Sequence, residues 1–160
     1  MIDETIPSTR GPSSHAQAVS LKLLVVLARA HAAVTAHLHA QVGAHGLTLT
    51  EFGILEVLYH KGPLLLGEVQ RRILVSSGGV TYLVDRLERK GLVERRACPE
   101  DRRARYAALT GEGETLISRI FPEHAEVITR VMDSLTLEEQ REATDLLRKL
   151  GHGAASLALP

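Results

Sequence analysis

The sequence predicts a mainly α-helical protein that carries one small β-hairpin. Apolar residues recur every three or four positions over most of the chain, which is the period of an amphipathic helix. After Gly91 the period changes, and the runs 92–97 and 105–109 are short and strand-like, with a polar, proline-containing segment between them. A short helix, a turn and a second helix are predicted directly before this hairpin. This order of elements predicts a winged helix–turn–helix flanked by helices at both ends.

The first segment is predicted to be a mobile arm followed by a long helix. Residues 1–14 contain two prolines, a glycine and several Ser and Thr, without periodicity. A helix over about 15–42 would be ~40 Å long, which is more than one small core can cover. We therefore expect this helix to pack against a second chain as well. The dipeptide His45-Gly46 ends it.

The helices of the predicted lobe have recognisable boundaries. Thr48 stands three residues before Glu51, which is the spacing of a capping box, and opens a helix to about residue 60. A short helix is predicted over 65–73. The next begins at Ser76 or Ser77, either of which can cap it, and ends at residue 90, just before Gly91.

The chain returns to helix after the hairpin. A helix is predicted from Gly111, with a kink or break at Pro122. Thr136 and Glu139 form a second capping box, which opens a last helix to residue 150, ended by Gly151. The sequence thus predicts one domain over 15–152, made of a lobe over 48–110, flanking helical segments over 15–44 and 111–151, and a frayed tail over 153–160.

Composition excludes several classes of protein. At 160 residues, 44% hydrophobic and 24% charged, the chain is expected to be a soluble, cytoplasmic globular protein. The start lacks the apolar run of a signal peptide. The most apolar stretch contains Lys22 and Arg29, which argues against a membrane span. Since the sequence also lacks a nucleophile elbow and a phosphate-binding loop, we expect no enzyme and no cofactor.

Charge is unevenly distributed although the net charge is zero. Residues 64–110 contain ten Lys and Arg against six Asp and Glu, an excess of four positive charges that the rest of the chain cancels. The basic excess therefore coincides with the predicted lobe, as binding to DNA phosphates requires.

Candidate DNA contacts lie in the second helix of the lobe and in the hairpin. The first turns of a recognition helix meet base edges in the major groove. At the hairpin tip, an arginine could enter the electronegative minor groove while a nearby carboxylate holds it extended. The candidates in the helix are Ser76, Ser77, Gly78, Thr81, Tyr82 and Arg86, and those in the wing are Asp101, Arg102, Arg103 and Arg105.

Two segments carry a family resemblance. LVSSGGVTYLVDRLERKGLVERR (74–96) and CPEDRRARYAALTGEGETL (98–116) closely resemble the winged-helix core of the MarR family of bacterial transcription regulators. Together with IFPEHA (120–125), they are similar to the branch that contains hydroquinone- and quinone-responsive repressors.

The resemblance implies a homodimer held by the first and last helices, which binds a near-palindromic double-stranded operator and is usually a repressor. It implies a recognition helix over 76–90, with Arg103 in the minor groove, Asp101 orienting it, and Arg102 on the DNA backbone. It also implies a small-molecule effector between the dimerisation helices and the lobe. His31, His39 and Phe52 are candidates for that site by position alone.

Alternatives remain open at this point. Cys98 lies near several arginines, which would favour a reactive thiolate, so a redox sensor is a second hypothesis. A winged fold that binds a protein instead of DNA is a third, favoured by the zero net charge. The eight histidines lack the spacing of a helical metal motif, and we expect no metal site.

Overall fold

The computed structural model describes residues 14–73, 77–98 and 104–158, although the side chain of Ser77 is not described. The helices are α1 (His15–Gly43), α2 (Leu49–Lys61), α3 (Leu66–Ile73), α4 (Ser77–Arg89), α5 (Gly111–Met132) and α6 (Leu137–Ala155); the strands are β1 (Leu64–Leu65), β2 (Val93–Ala97) and β3 (Arg105–Leu109). This confirms a mainly helical fold with a hairpin that follows a helix–turn–helix.

Local sequence signals place most of the helix ends. Both capping boxes are present: in the first, the Thr48 N–H donates to Glu51 Oε2 at 2.8 Å, and the Glu51 N–H donates to Thr48 Oγ1 at 3.2 Å. Gly91 has a φ of 71°, a left-handed conformation that glycine adopts without strain, and it follows α4 as predicted.

The hairpin pairs with a third strand that the sequence analysis did not predict. The sheet has the order β1-β3-β2 and is antiparallel. In it, β2 pairs with β3 from Val93 opposite Leu109 to Ala97 opposite Arg105, and β1 pairs Leu64 with Ala107. A strand of two residues is too short to show the alternation of apolar and polar side chains that predicts a strand. Its pairing depends on the partner strand.

The core lies between α2, α4, α5 and the sheet. Burying an aliphatic or aromatic side chain of this size contributes roughly 1.5–3 kcal/mol, so this cluster holds the lobe against the end of α1 and the first half of α5. Its most completely buried apolar members are Val42, Phe52, Ile54, Leu55, Val69, Val84, Leu87, Ile117 and Ile120.

Two predicted interruptions of helices are wrong. Of the kink or break expected at Pro122, the break is absent, since α5 continues through the proline. Ile117 and Ile120 before the proline and His124 after it are all buried, and this packing offsets the lost backbone hydrogen bond. The last helix does not end at Gly151. It continues to residue 155, so part of the predicted frayed tail is helical, because an interior glycine weakens a helix without ending it.

The two terminal helices expose much of their apolar surface. In α1 only Val42 is buried, and Leu23, Leu24 and Val26 are exposed. Helix α6 buries none of its residues, and Leu147 is 51% exposed. By length and composition α1 could cross a membrane.

Candidate nucleic-acid interface

Helix α4 divides into a buried face and an exposed face. Val80, Val84 and Leu87 anchor the buried face in the core. Thr81 and Tyr82 lie on the other side, and Tyr82 is 56% exposed. The structure therefore places these two predicted contacts at the surface, in the first turns of the second helix of the helix–turn–helix. Ser76 and the side chain of Ser77 lie outside the described residues.

Gly78 lies on the same exposed face. A Cβ atom at this position would meet no neighbouring atom of the described residues within 4 Å. Packing within the chain therefore does not require glycine here. The absence of a side chain instead leaves the backbone of the first turn accessible, which suits close approach to a DNA strand.

Arg86 has an intramolecular partner that the sequence analysis missed. Its Nε lies 3.3 Å from Oε1 of Glu51, a fully buried carboxylate on α2. Lys90 Nζ lies 3.0 Å from each oxygen of the same carboxylate and donates to the carbonyl of Gly46 at 2.8 Å. Arg86 was expected to reach DNA; in the structure it binds an acid on the neighbouring helix.

The pKa of Glu51 reflects this environment. Burial by itself raises the pKa of the carboxyl group, but the hydrogen bond from the Thr48 N–H and the charges of Lys90 and Arg86 outweigh burial, so the pKa lies below its usual value. Glu51 is therefore a buried carboxylate ion at neutral pH.

A second cluster of ion pairs joins α4 to the hairpin. The guanidinium of Arg95 on β2 pairs with Asp85 at 2.7 Å and with Glu88, and it donates to the carbonyl of Thr81 at 3.4 Å. The backbone N–H of Arg95 also donates to Glu88 Oε1 at 2.9 Å. Charge-assisted bonds of this kind are stronger than neutral ones, so they hold β2 of the hairpin against α4.

Among the described residues, four cations of the lobe neutralise acids of the chain: Arg86 and Lys90 pair with Glu51, Arg95 pairs with Asp85 and Glu88, and Arg96 pairs with Glu94. The exposed arginines of the described lobe are Arg71, Arg72, Arg89, Arg96 and Arg105.

Of the predicted wing contacts, only Arg105 belongs to the described residues. It begins β3, and its guanidinium donates to the carbonyl of Ala104 at 3.0 Å. Asp101, Arg102 and Arg103 lie outside the described part of the chain.

Cys98 directly follows β2 and is only 7% exposed. Its backbone N–H donates to the carbonyl of Ala104 at 3.4 Å. Oxidants and electrophiles react with accessible thiolates, so burial disfavours the hypothesis that this cysteine is a sensor.

The three candidate ligand residues do not form one site. His31 and His39 are exposed on α1, whereas Phe52 is buried in α2. Phe52 instead packs against His124 of α5, with ring centroids 4.3 Å apart. In the described part of the chain, no cluster of three or more His, Cys, Asp or Glu could hold a metal ion.

His124 is a buried polar residue that the sequence analysis missed. Its Nδ1 lies 2.9 Å from Gln41 Oε1 of α1, and burial lowers its pKa despite the charge of Glu56. The other polar atom of that amide, Gln41 Nε2, is buried and has no hydrogen-bond partner within the described part of the chain. Because His124 follows Ile117 and Ile120 at helical spacing, the apolar period could have placed it on the buried face.

The fold and the exposed face of α4 define the class of winged helix–turn–helix DNA-binding proteins. The sequence model of the MarR family matches residues 45–104. The chain is 43% identical over 135 residues to the HTH-type transcriptional regulator MhqR of Bacillus subtilis, an alignment that covers 84% of this chain and 93% of MhqR. The chain therefore belongs to the MarR family and is a transcriptional regulator.

Solved structures share the fold. Sco3205, a MarR family regulator from Streptomyces coelicolor in complex with DNA, superposes with a TM-score of 0.78 at 24% identity over 92% of each chain. Bordetella bronchiseptica BpsR, whose DNA binding is regulated by 6-hydroxynicotinic acid, superposes with a TM-score of 0.74 at 24% identity over 81% of this chain and 98% of its own.

Proposed function

We propose that the protein is a cytoplasmic, homodimeric repressor that binds a near-palindromic double-stranded operator and is released from it by a small aromatic, phenolic or quinone-like ligand. The observation that carries this proposal is the exposed face of α4, with Gly78, Thr81 and Tyr82 at the surface beside a hairpin fixed by Arg95. This gives the chain a regulatory role and no catalytic one.

The unpartnered apolar surfaces of α1 and α6 support the homodimer. Leu146, Leu147 and Leu150 on α6 and Leu23 and Leu24 on α1 are exposed in the single chain. A second copy related by two-fold symmetry would cover both surfaces at once. The two recognition helices would then lie one helical turn of DNA apart, about 34–36 Å, and read the two halves of the operator.

The junction of α1, α2 and α5 supports a ligand site. His124 links Gln41 to Phe52 there, and Gln41 Nε2 has no hydrogen-bond partner among the described residues, so we infer that it donates a hydrogen bond to the oxygen of a phenol, quinone or carboxylate. The regulation of BpsR by 6-hydroxynicotinic acid agrees with a ligand of this chemistry. A ligand that binds better to one spacing of the two lobes shifts the dimer away from the spacing that DNA requires.

The decisive experiment is fluorescence anisotropy of the full chain with the duplex upstream of its own gene, and with a scrambled duplex, over a series of salt concentrations. We expect tighter binding to the upstream duplex and a steep loss of affinity with salt. Equal binding to both duplexes would contradict a sequence-specific repressor bound at that position.

Two variants test the wing in the same assay. Arg103→Ala should weaken DNA binding while the dimer remains intact by sedimentation, since we propose that Arg103 enters the minor groove. Arg119→Ala is the matched control, because Arg119 is an exposed arginine on α5, outside the lobe. Unchanged affinity of Arg103→Ala would remove the wing from the mechanism.

The ligand is tested by titrating hydroquinone, benzoquinone and 6-hydroxynicotinic acid into the DNA complex. Release of the duplex by one of them in the wild type, and loss of that release in Gln41→Leu, would support the site. Release that is equal in both proteins would place the ligand elsewhere.

A further inference from the structure

The carboxylate of Glu51 lies at the contact between the helix that carries it and the recognition helix. It is fully buried, and it interacts with the N–H of Thr48 at the start of α2 and with Arg86 and Lys90 on α4. Lys90 also binds the carbonyl of Gly46, so the segment before α2 belongs to the same cluster. We call these four residues, Gly46, Glu51, Arg86 and Lys90, the Glu51 cluster.

The cluster reaches the exposed face of α4 through Arg86. The guanidinium carbon of Arg86 lies 5.8 Å from the centre of the Tyr82 ring, within the range of a cation–π contact. Tyr82 is one helical turn before Arg86 and is exposed. A chain of contacts thus connects a buried acid on α2 to an aromatic side chain that we assign to the DNA-binding face.

We propose that Glu51 is a positioning residue for DNA recognition. By binding Arg86 and Lys90 it fixes the rotation of α4 on α2 and the orientation of Tyr82. Arg86 then acts within the protein and does not neutralise a DNA phosphate. The proposal rests on the proposed DNA-binding function. It assigns the phosphate contacts of the described lobe to the exposed arginines.

Electrostatics explain why this cluster must stay intact. A buried carboxylate is strongly disfavoured without partners, so the loss of either cation to a phosphate would leave Glu51 less well neutralised. Arg86 has a planar guanidinium that can bind the acid and contact an aromatic ring together, which a neutral side chain cannot do.

Salt dependence distinguishes a positioning residue from a phosphate contact. Each neutralised phosphate contributes about 0.9 to the slope of log K against log salt concentration. If Arg86 bound one phosphate in each protomer of a dimer, its removal would reduce the slope by about 1.8. If it only positions α4, its removal weakens operator binding and leaves the slope unchanged.

The experiment measures operator and scrambled-duplex binding over a salt series for the wild type and for Glu51→Gln, Arg86→Gln, Arg86→Lys and the double variant E51Q/R86Q. Arg119→Gln, an exposed arginine outside the lobe, is the control. We expect each neutral single variant to bind the operator on the order of tenfold more weakly, because each removes the ion pair between Glu51 and Arg86. Scrambled-duplex binding and the salt slope should not change, and Arg86→Lys, which keeps the charge without the planar guanidinium, should restore only part of the operator affinity.

The double variant tests whether the two residues act together. We expect its loss of operator affinity to be close to that of one single variant, since both changes break the same contact. Circular dichroism and thermal melting show which variants are folded at the assay temperature. If Glu51→Gln does not fold, the test is the comparison of operator affinity between Arg86→Gln and Arg86→Lys.

Two results would overturn the inference. A slope lowered by about 1.8 in Arg86→Gln, with equal losses for both duplexes, would make Arg86 a phosphate contact. Operator affinity unchanged in both neutral variants would leave the Glu51 cluster without a role in recognition. Failure of the wild type itself to prefer its operator would instead refute the proposed function, and the inference with it.

Discussion

Gly113 provides the sharpest test of how the hairpin joins the helix after it. Gly113 is in the first turn of α5, where its N–H donates to Thr110 Oγ1 at 3.0 Å. The N–H of Thr110 donates in turn to the carbonyl of Leu92 at 3.1 Å. A Cβ on Gly113 would lie 2.0 Å from that carbonyl oxygen and 2.9 Å from its carbon. Helix α5 therefore begins in direct contact with the backbone before β2.

The cost of Gly113→Ala follows from these distances. Ordinary contact begins at 3.4 Å, so the two backbone segments must separate by about 1.4 Å. Overpacking of this kind costs roughly 1–3 kcal/mol. Loss of the Thr110–Leu92 hydrogen bond adds about 1 kcal/mol. The higher helix propensity of alanine offsets at most about 1 kcal/mol of this loss in the free energy of unfolding. We expect the free energy of unfolding to fall by about 1–3 kcal/mol.

Urea denaturation at one fixed protein concentration measures this change. With a slope of about 2 kcal/mol/M, the midpoint of Gly113→Ala should fall by roughly 0.5–1.5 M. Gly111→Ala is the matched control, since a Cβ on Gly111 meets nothing within 4 Å. Its stability should remain within about 1 kcal/mol of the wild type. Equal midpoints for the two variants would refute the packing argument.

Three further predictions concern protonation and capping. The pKa of His124 is lower in the folded protein than its unfolded value of 6.5, so the free energy of unfolding should decrease as pH falls through 6.5. The urea midpoints at pH 7.5 and 5.5 should therefore differ less in His124→Gln than in the wild type. The pKa of Glu51 is lower in the folded protein than its unfolded value of 4.5, so its ionised form stabilises the fold above pH 4.5, and this contribution is lost as pH falls below 4.5. The free energy of unfolding should therefore decrease less between pH 5 and 3 in Glu51→Gln than in the wild type, and an equal decrease would contradict the buried ion. Thr136→Ala removes the capping box of α6 and should cost about 1 kcal/mol, measured by thermal melting against Thr144→Ala as a mid-helix control.

Local signals explain why so much of the fold could be predicted. Thr48, Gly91 and Thr136 set helix ends through contacts with residues three to five positions away, and the change of period after Gly91 marks the hairpin. Strand β1 depends on a partner more than forty residues later. A pattern that is read along the chain does not contain this information.

The same distinction applies to the candidate site. The exposed positions Thr81 and Tyr82 follow from helical periodicity. The ion pair between Arg86 and Glu51 does not follow from periodicity, because Glu51 lies on another helix. The capping box with Thr48 already explains an acid at position 51, so the sequence does not indicate a second role for it. The local charge excess was correct as a count. Only the structure shows which of the described cations neutralise acids of the chain.

The lack of buried residues in α6 has a consequence for regulation in the proposed homodimer. Since α6 buries none of its residues in the single chain, its apolar packing would there come from the second copy. Folding of this region and assembly of the regulator then become one equilibrium, and the amount of competent dimer rises with the square of the protomer concentration when the chain is scarce. The cell would therefore set a threshold for repression through the level of this chain, even before any ligand acts.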